Sequence, residues 1–284
     1  MGTGTLFVVA TPLGNLEDIT LRAIRVLKEV SVIACEDTRR TVKLLNRYGI
    51  RTPLAIFHEH NKARAAVAIL RRLREGDSVA LVSDAGTPAV SDPGYELVRD
   101  AIAAGLRVEA VPGPSALVAA LVVSGLPTDR FAFEGFLPSR GEKRRKAMRA
   151  LAGESRTMIF YESPQRIAAF LAEASGVFGD RRACVVRELT KVHEEVLRGT
   201  LGELAAEIGG RASVLGEITV VVGGAPGMAA PSVEEVVRRA LGDAPASSRD
   251  LAREIAGRTG LPRKEVYAEI LRQRGAGDAP RRAT

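Results

Sequence analysis

Tryptophan is absent from the 284 residues, and tyrosine and phenylalanine bring the aromatic share to only 4%. A core of this size must therefore be aliphatic, built from Val, Leu, Ile and Ala. Cysteine is nearly absent too. Cys35 and Cys184 each lie in an apolar run, with no second Cys or His at metal-ligand spacing, which argues against both a disulfide scaffold and a zinc module. No long apolar run exists either. The longest stretch free of charge, 110–128, is broken by Pro112, Gly113 and Pro114, leaving about a dozen apolar positions where a membrane helix needs about 20. The first residues lack a basic segment and reach Pro12 after a short apolar stretch, so they read as a first strand rather than a signal peptide. The expected localisation is cytoplasmic, with no membrane partner.

What is present is an ordinary globular composition, 46% hydrophobic and 26% charged, which excludes a disordered, collagenous or fibrous chain. The length suits two domains and a small third module. A net charge of +7 favours a polyanionic partner without establishing one.

Short β-branched runs alternate with helix-period segments, the pattern of βα units on a mostly parallel sheet. Strands are expected over 6–10, 30–35, 54–57, 79–82 and 108–111, with a first helix whose stripe of Leu21, Ile24 and Leu27 is opened by Asp18 or Thr20. After a turn at 126–129 the alternation resumes: strands over 131–136 and 157–161, a helical run over 167–174, then strands over 183–189, 195–200 and 218–222, with 183–189 and 195–200 forming a hairpin. The Gly, Pro and Ala of 223–231 read as a linker. Three helices follow, over 232–241, 247–258 and 262–274, with Ser247 as a cap, Gly260 as a stop and Pro262 in a first turn, a helix-turn-helix-like unit. From 232 onward eleven basic residues face eight acidic ones, too small an excess to demonstrate nucleic-acid contact. The expected division is 1–125 and 126–224 as two α/β domains, 232–275 as a helical module and 276–284 as a disordered tail.

Three small-residue loops follow expected strands. Thr11, Pro12, Leu13, Gly14 and Asn15 leave the first; Ser83 to Gly94 leave the fourth with two prolines, two glycines and the acceptors Asp84 and Asp92; Pro112 to Ala116 leave the fifth, with Ser115 placed to cap the next helix. Open α/β sheets bind ligands at this edge. The first loop alone could equally be a plain βα turn, since it lacks the three-glycine dinucleotide fingerprint.

The segments ATPLGNLEDIT (10–20), ACEDTRRT (34–41), FHEHN (57–61), SDAGTPAVSDPG (83–94), VPGPSA (111–116), FEGFLP (133–138) and FYESPQRI (160–167), in this order, resemble the tetrapyrrole methylases, the class III S-adenosylmethionine-dependent methyltransferases, and among them the members that modify ribosomal RNA. The resemblance runs from about Leu6 through Val222. It implies two α/β domains clasping S-adenosyl-L-methionine in their cleft, a homodimer, no metal, and methylation of the ribose 2′-oxygen of a decoding-region cytidine in small-subunit rRNA. It assigns the cofactor to Pro12, Leu13 and Gly14, to Asp84, Gly86, Thr87, Pro88, Val90 and Ser91, and to Ser115 and Ala116, with Tyr161, Leu189, Glu217 and Ile218 closing the adenosine side. Thr11 to Asn15 departs from the GxGPG loop common in the family, which sets the chain apart from the small-molecule tetrapyrrole enzymes.

Proton removal from a hydroxyl asks for a base. Asp37 is the first candidate, beside Arg39, which could hold a phosphate; Glu36 shares its strand end, and either acid could instead cap the following helix. Glu188 and Lys191, crowded with Arg187 and Glu194, are the alternative, against a plain salt-bridge cluster. His58 and His60 have a metal-compatible spacing without further clustered ligands, and read as a polar loop near the cleft. Arg140, Lys143, Arg144, Arg145 and Lys146 form either a solvated helix face or a basic lip for RNA phosphates. Phe57, Phe136 and Tyr161 are the aromatics near loop edges that could stack a base. Two further readings stay in view, a small-molecule class III methyltransferase and a ligand-sensing nucleic-acid-binding regulator.

Overall fold

In the computed structural model, which describes residues 2–226, 233–241, 247–259 and 261–276, the first half is a five-stranded parallel sheet. Strands β1 (Thr5–Val9), β2 (Val32–Cys35), β3 (Leu54–Ile56), β4 (Val79–Val82) and β5 (Arg107–Val111) alternate with helices α1 (Leu21–Glu29), α2 (Thr38–Arg47), α3 (Lys62–Arg74) and α4 (Tyr95–Ala103). The spatial order is β3-β2-β4-β1-β5. Every residue of β2 and β4 is buried, as their unbroken apolar sequences require of strands covered on both faces. Alternate residues divide between the faces: Ala80 and Val82 pack with α1 and α2, Val79 and Leu81 with α3 and α4.

Helix α5 (Ala116–Ser124) leads into a second sheet, formed by β6 (Phe131–Phe136), β7 (Thr157–Glu162), β8 (Arg182–Arg187), β9 (Glu195–Thr200) and β10 (Ile218–Val222) in the order β6-β7-β10-β8-β9. Only β6 and β7 are parallel; β10 runs antiparallel between β7 and β8, and β8 and β9 form the expected hairpin. One face buries Met158, Phe160, Val185 and Val220 beneath α6 (Gly141–Ala150), α7 (Ile167–Phe178) and α8 (Leu201–Gly209). The opposite face packs Ile159, Cys184, Val186 and Val221 against Ala120 and Leu121 of α5. Both cysteines are free and buried.

Local chemistry sets the element ends. The Thr20 hydroxyl accepts from Ala23 N at 3.1 Å, so Thr20 rather than Asp18 caps α1. Val30 still donates to Val26 O, which delays β2 to Val32 instead of residue 30. Strand β8 ends at Arg187, short of 189, because Glu188 turns to a φ of 51°. Ser115 occupies the N-cap position of α5 but its side chain makes no capping bond. Thr200 and Glu203 form a reciprocal capping box on α8.

The chain divides into two compact units, 1–225 and 226–284. The expected linker begins later than residue 223, since Gly223 N donates to Arg182 O and Ala225 N to Glu154 O, tying both to the first unit. Residues 227–231 of the linker, Gly260 and the tail from 277 lie outside the described residues. In the second unit α9 (Val233–Leu241), α10 (Ser248–Thr259) and α11 (Arg263–Ala276) enclose Val237, Leu251, Ile255, Val266 and Ile270. The Ser247 hydroxyl accepts from Asp250 N at 3.2 Å, the expected cap. Among the described residues no helix is long and apolar enough to cross a membrane.

Candidate functional site

Each parallel strand of the first sheet ends at the same edge, and there the loops lock to one another. Thr11 and Gly86 exchange backbone hydrogen bonds at 2.9 Å in both directions, and the Thr11 hydroxyl donates to Ser83 O at 3.1 Å. The Thr87 hydroxyl donates to Pro114 O at 3.0 Å, joining the loop after β4 to the loop after β5. Gly86 has a φ of 81°, and a Cβ there would lie 3.1 Å from Leu13 Cδ2, so both conformation and space favour glycine. Two non-glycine residues of this loop, Ala89 and Ser91, also take positive φ, 66° and 61°. Such strain persists where the surroundings dictate it, and it concentrates at binding sites.

The second sheet supplies the facing wall. Because β10 is antiparallel to β7 and β8, its first residues lie beside their last ones. A cavity of about 380 Å³ results, within the size range of small-molecule sites. Leu13, Asp84, Gly86, Thr87, Val90 and Ser91 line it from the first sheet, with Ser115 and Ala116 at the start of α5. Tyr161, Leu189, Glu217 and Ile218 line it from the second. Pro12 and Pro88 are buried behind their loops and Gly14 opens onto a neighbouring groove, so these three do not line the cavity.

The cavity is acidic. Among the described residues, Glu36, Asp84, Asp92, Glu162 and Glu217 line it against a single basic residue, Arg40. Burial pushes the Asp92 carboxyl up to about 6, with Glu36, Asp84 and Glu217 adding to the rise and the Ser83 hydroxyl opposing it. Burial and the neighbouring Asp84 also raise Glu36. Burial holds the Tyr161 hydroxyl at about 12. Glu162 bonds Ser163 N at 2.7 Å and Arg166 at 2.5 Å through one oxygen, while the other, Oε2, is buried without a partner.

Asp37 does not line this cavity. Its carboxylate caps α2 by accepting from Arg39 N at 2.8 Å and pairs with the Arg39 guanidinium at 2.7 Å, which together hold it down at about 2. A carboxylate so stabilised is a weak base, and Arg39 is occupied by it. Lys191 Nζ lies 2.8 Å from Glu188 and 3.2 Å from Glu217, beside the cavity rather than in it. Glu188 Oε1 also accepts from Glu217 N at 3.0 Å, and the Thr190 hydroxyl accepts from Asn15 N at 3.2 Å. The Thr190 hydroxyl and the Lys191 stem, which lies against Gly14, thus form a latch between the halves, while the acids and bases around them pair within the second half. Arg187 pairs with Glu195 at 3.0 Å, and Glu194 accepts from Thr190 N.

The basic run on α6 divides. Arg140, Lys143, Arg145 and Lys146 are exposed, but Arg144 is buried, bidentate to Glu173 at 2.8 Å and bonded to Ser139 O. Arg144 is therefore withdrawn from any phosphate-binding lip, because its guanidinium is committed to joining α6 and α7. Phe57 is likewise a core residue, 3% exposed, whereas Phe136 is exposed and meets Tyr161 edge-on at 5.6 Å. The rings of His58 and His60 lie 5.8 Å apart, and His58 Nδ1 accepts from Asn61 N. Asp92 and Glu36 carry more weight in the cavity than the spacing of acids suggested; the Asp-Pro-Gly turn in a loop at the ligand edge was the available signal for Asp92.

Residues 5–205 match the model of the tetrapyrrole (corrin/porphyrin) methylases. A uroporphyrin-III C-methyltransferase from Thermus thermophilus, solved in complex with S-adenosylhomocysteine, shares the fold with a TM-score of 0.55 at 22% identity, over 78% of this chain and 97% of its own. The ribosomal RNA small subunit methyltransferase I of Xylella fastidiosa (strain Temecula1) is 49% identical over 272 residues, 93% of this chain and 98% of the relative. Its Thermotoga maritima counterpart is 49% identical over 221 residues, which is 78% of this chain but 99% of the relative. With the family match across most of the α/β unit and near-complete coverage of such relatives, this chain belongs to the ribosomal RNA small subunit methyltransferase I family of tetrapyrrole methylases.

Proposed function

We propose that this protein transfers the methyl group of S-adenosyl-L-methionine to the ribose 2′-oxygen of a cytidine in the decoding region of small-subunit rRNA, acting as a cytoplasmic homodimer on the small ribosomal subunit. The observation that carries the donor assignment is the acidic cavity, five carboxylates against one guanidinium, which complements the sulfonium and ammonium charges of such a ligand. Apolar Val90, Leu189 and Ile218 suit an adenine face, and backbone groups at Gly86 can approach closely. Bound there, the donor supplies an already activated methyl group, so the protein's task is alignment, exclusion of water and management of one proton. On this reading 1–125 and 126–224 are the two walls of the cleft, and 232–275 is an accessory module. The relatives' names support the rRNA assignment. The exposed Arg140, Lys143, Arg145 and Lys146 supply charge for a phosphate backbone.

Transfer of labelled methyl from the donor to purified small subunits tests the reading, followed by nuclease digestion and mass mapping. A 2′-O-methylated cytidine, recognisable because its phosphodiester resists alkali, is expected. Label on a base, or on a tetrapyrrole with none on the subunit, would overturn the ribose assignment. Light scattering at micromolar concentration should give twice the chain mass.

A further inference from the structure

Most carboxylates lining the cavity have a cationic neighbour. Asp84 lies 3.6 Å from Arg40, Glu217 3.2 Å from Lys191 and Glu162 2.5 Å from Arg166, while Glu36 feels both His58 and Arg40. Among the described residues Asp92 has no such neighbour. The groups that act on it most strongly are the Ser83 hydroxyl after β4, Glu36 after β2, Asp84 in its own loop and Glu217 before β10, with no Lys, Arg or His among them. Tyr161 of β7 completes its surroundings, since the Asp92 charge acts on that hydroxyl in turn. Asp92 therefore sits among carboxylates from both sheets without an ion-pair partner, and the guanidinium that lines the same cavity, Arg40, is engaged with Asp84.

Its position is fixed from both sides. Ser91 at a φ of 61° and Gly94 at 141° set the turn that carries it. Gly135 of β6 approaches so closely that a Cβ there would stand 3.2 Å from Ser91 Oγ. The second sheet thus abuts the turn that presents Asp92 to the cavity in which the donor is proposed to bind.

We propose that Asp92 is the group that takes the proton from the acceptor hydroxyl during methyl transfer, an assignment that rests on the function proposed above. In this step the acceptor oxygen forms a bond to the methyl carbon as the carbon–sulfur bond breaks. The electron pair of that bond stays on sulfur, giving the neutral thioether, and the hydroxyl proton passes to an Asp92 carboxylate oxygen and then to solvent. An unpaired carboxylate titrating near neutral pH is matched to the task, ionised at working pH yet basic enough to accept. Asp37, held by a helix cap and a guanidinium, is not.

Single-turnover methylation of small subunits by wild type, Asp92→Asn and Asp92→Glu tests this. Asp92→Asn keeps the side-chain shape, and its fold and cofactor site are checked by melting and by S-adenosylhomocysteine binding. With both retained, the rate should fall about 100-fold to 10,000-fold, and Asp92→Glu should recover part of it. The wild-type rate should rise with pH and level off above an apparent pKa of about 6, a break that Asp92→Asn loses. A wild-type rate in Asp92→Asn, or a break near 6 that survives the substitution, overturns the assignment while leaving the function standing. Failure of the wild type itself to methylate subunits overturns the function and this assignment with it.

Discussion

The stem of Lys191 lies against Gly14, so closely that a methyl group on Gly14 would stand 2.2 Å from Lys191 Cγ. Its ammonium meanwhile holds Glu188 and Glu217. One side chain from the β8–β9 loop thus spans the first loop of the opposite half and reaches a residue that lines the cavity.

Gly14→Ala should loosen that span. The clash falls near the base of the lysine stem, which cannot swing away as its tip could, and overpacking at this exposed position is expected to cost about 1 kcal/mol. S-adenosylhomocysteine should dissociate faster in stopped-flow measurements. Lys191→Met, which keeps the stem and removes the charge, separates packing from ion pairing; equal release rates in wild type and both variants would show that the latch does not govern exit.

Gly86→Val is expected to weaken S-adenosylhomocysteine binding in calorimetry. Valine is strained at a φ of 81°, and its Cβ would meet Leu13 where the first loop bonds back to Gly86. Wild-type affinity in a folded Gly86→Val protein would mean that this loop is not against the ligand.

The α6 arginines and lysines should separate into two classes. Arg144→Ala breaks a buried bidentate pair and leaves Glu173 uncompensated, at a cost of about 3 kcal/mol in denaturant unfolding. Replacing Arg140, Lys143, Arg145 and Lys146 with Gln should leave stability nearly unchanged but weaken RNA binding and flatten its salt dependence, by about 0.7 in slope for each single-strand phosphate no longer neutralised. An unchanged slope assigns these four to solvation alone.

Asp92 also makes stability depend on pH. Its folded value, about 6, is above the ordinary carboxylate value of 3.8, so folding favours the protonated form. The contribution is therefore fully present below about pH 4 and is lost as pH rises through 6. Asp92→Asn, which cannot ionise, should melt higher than wild type above pH 6, by about 2–4 °C if partial solvation leaves roughly 1 kcal/mol of the cost. The difference should vanish near pH 4; a gap independent of pH would point to repacking instead.

The strands covered on both faces were legible because they must be continuous apolar runs, and β4 matched residue for residue. The ligand edge was legible through its glycines and prolines. Which acid does what was not. Asp37 and Asp92 both follow strands at one edge, and only the fold shows the first used by a cap while the second stands among carboxylates. The Lys191 latch was equally hidden, since it joins Gly14 and Glu217, segments far apart in sequence. Arg144 looked like its neighbours because a helix turns every fourth residue inward regardless of charge.

Strand β10 is the last of the α/β unit in sequence yet sits in the middle of its sheet, between β7 and β8. A nascent chain that has not yet delivered residues 218–222 holds two separate pairs, β6 with β7 and β8 with β9, whose inner edges have nothing to bond. The cavity lacks Ile218 and Thr219 at that stage as well. Synthesis therefore finishes the binding site with the same stroke that joins the sheet, and a chain cut just before residue 216 should be insoluble rather than merely inactive.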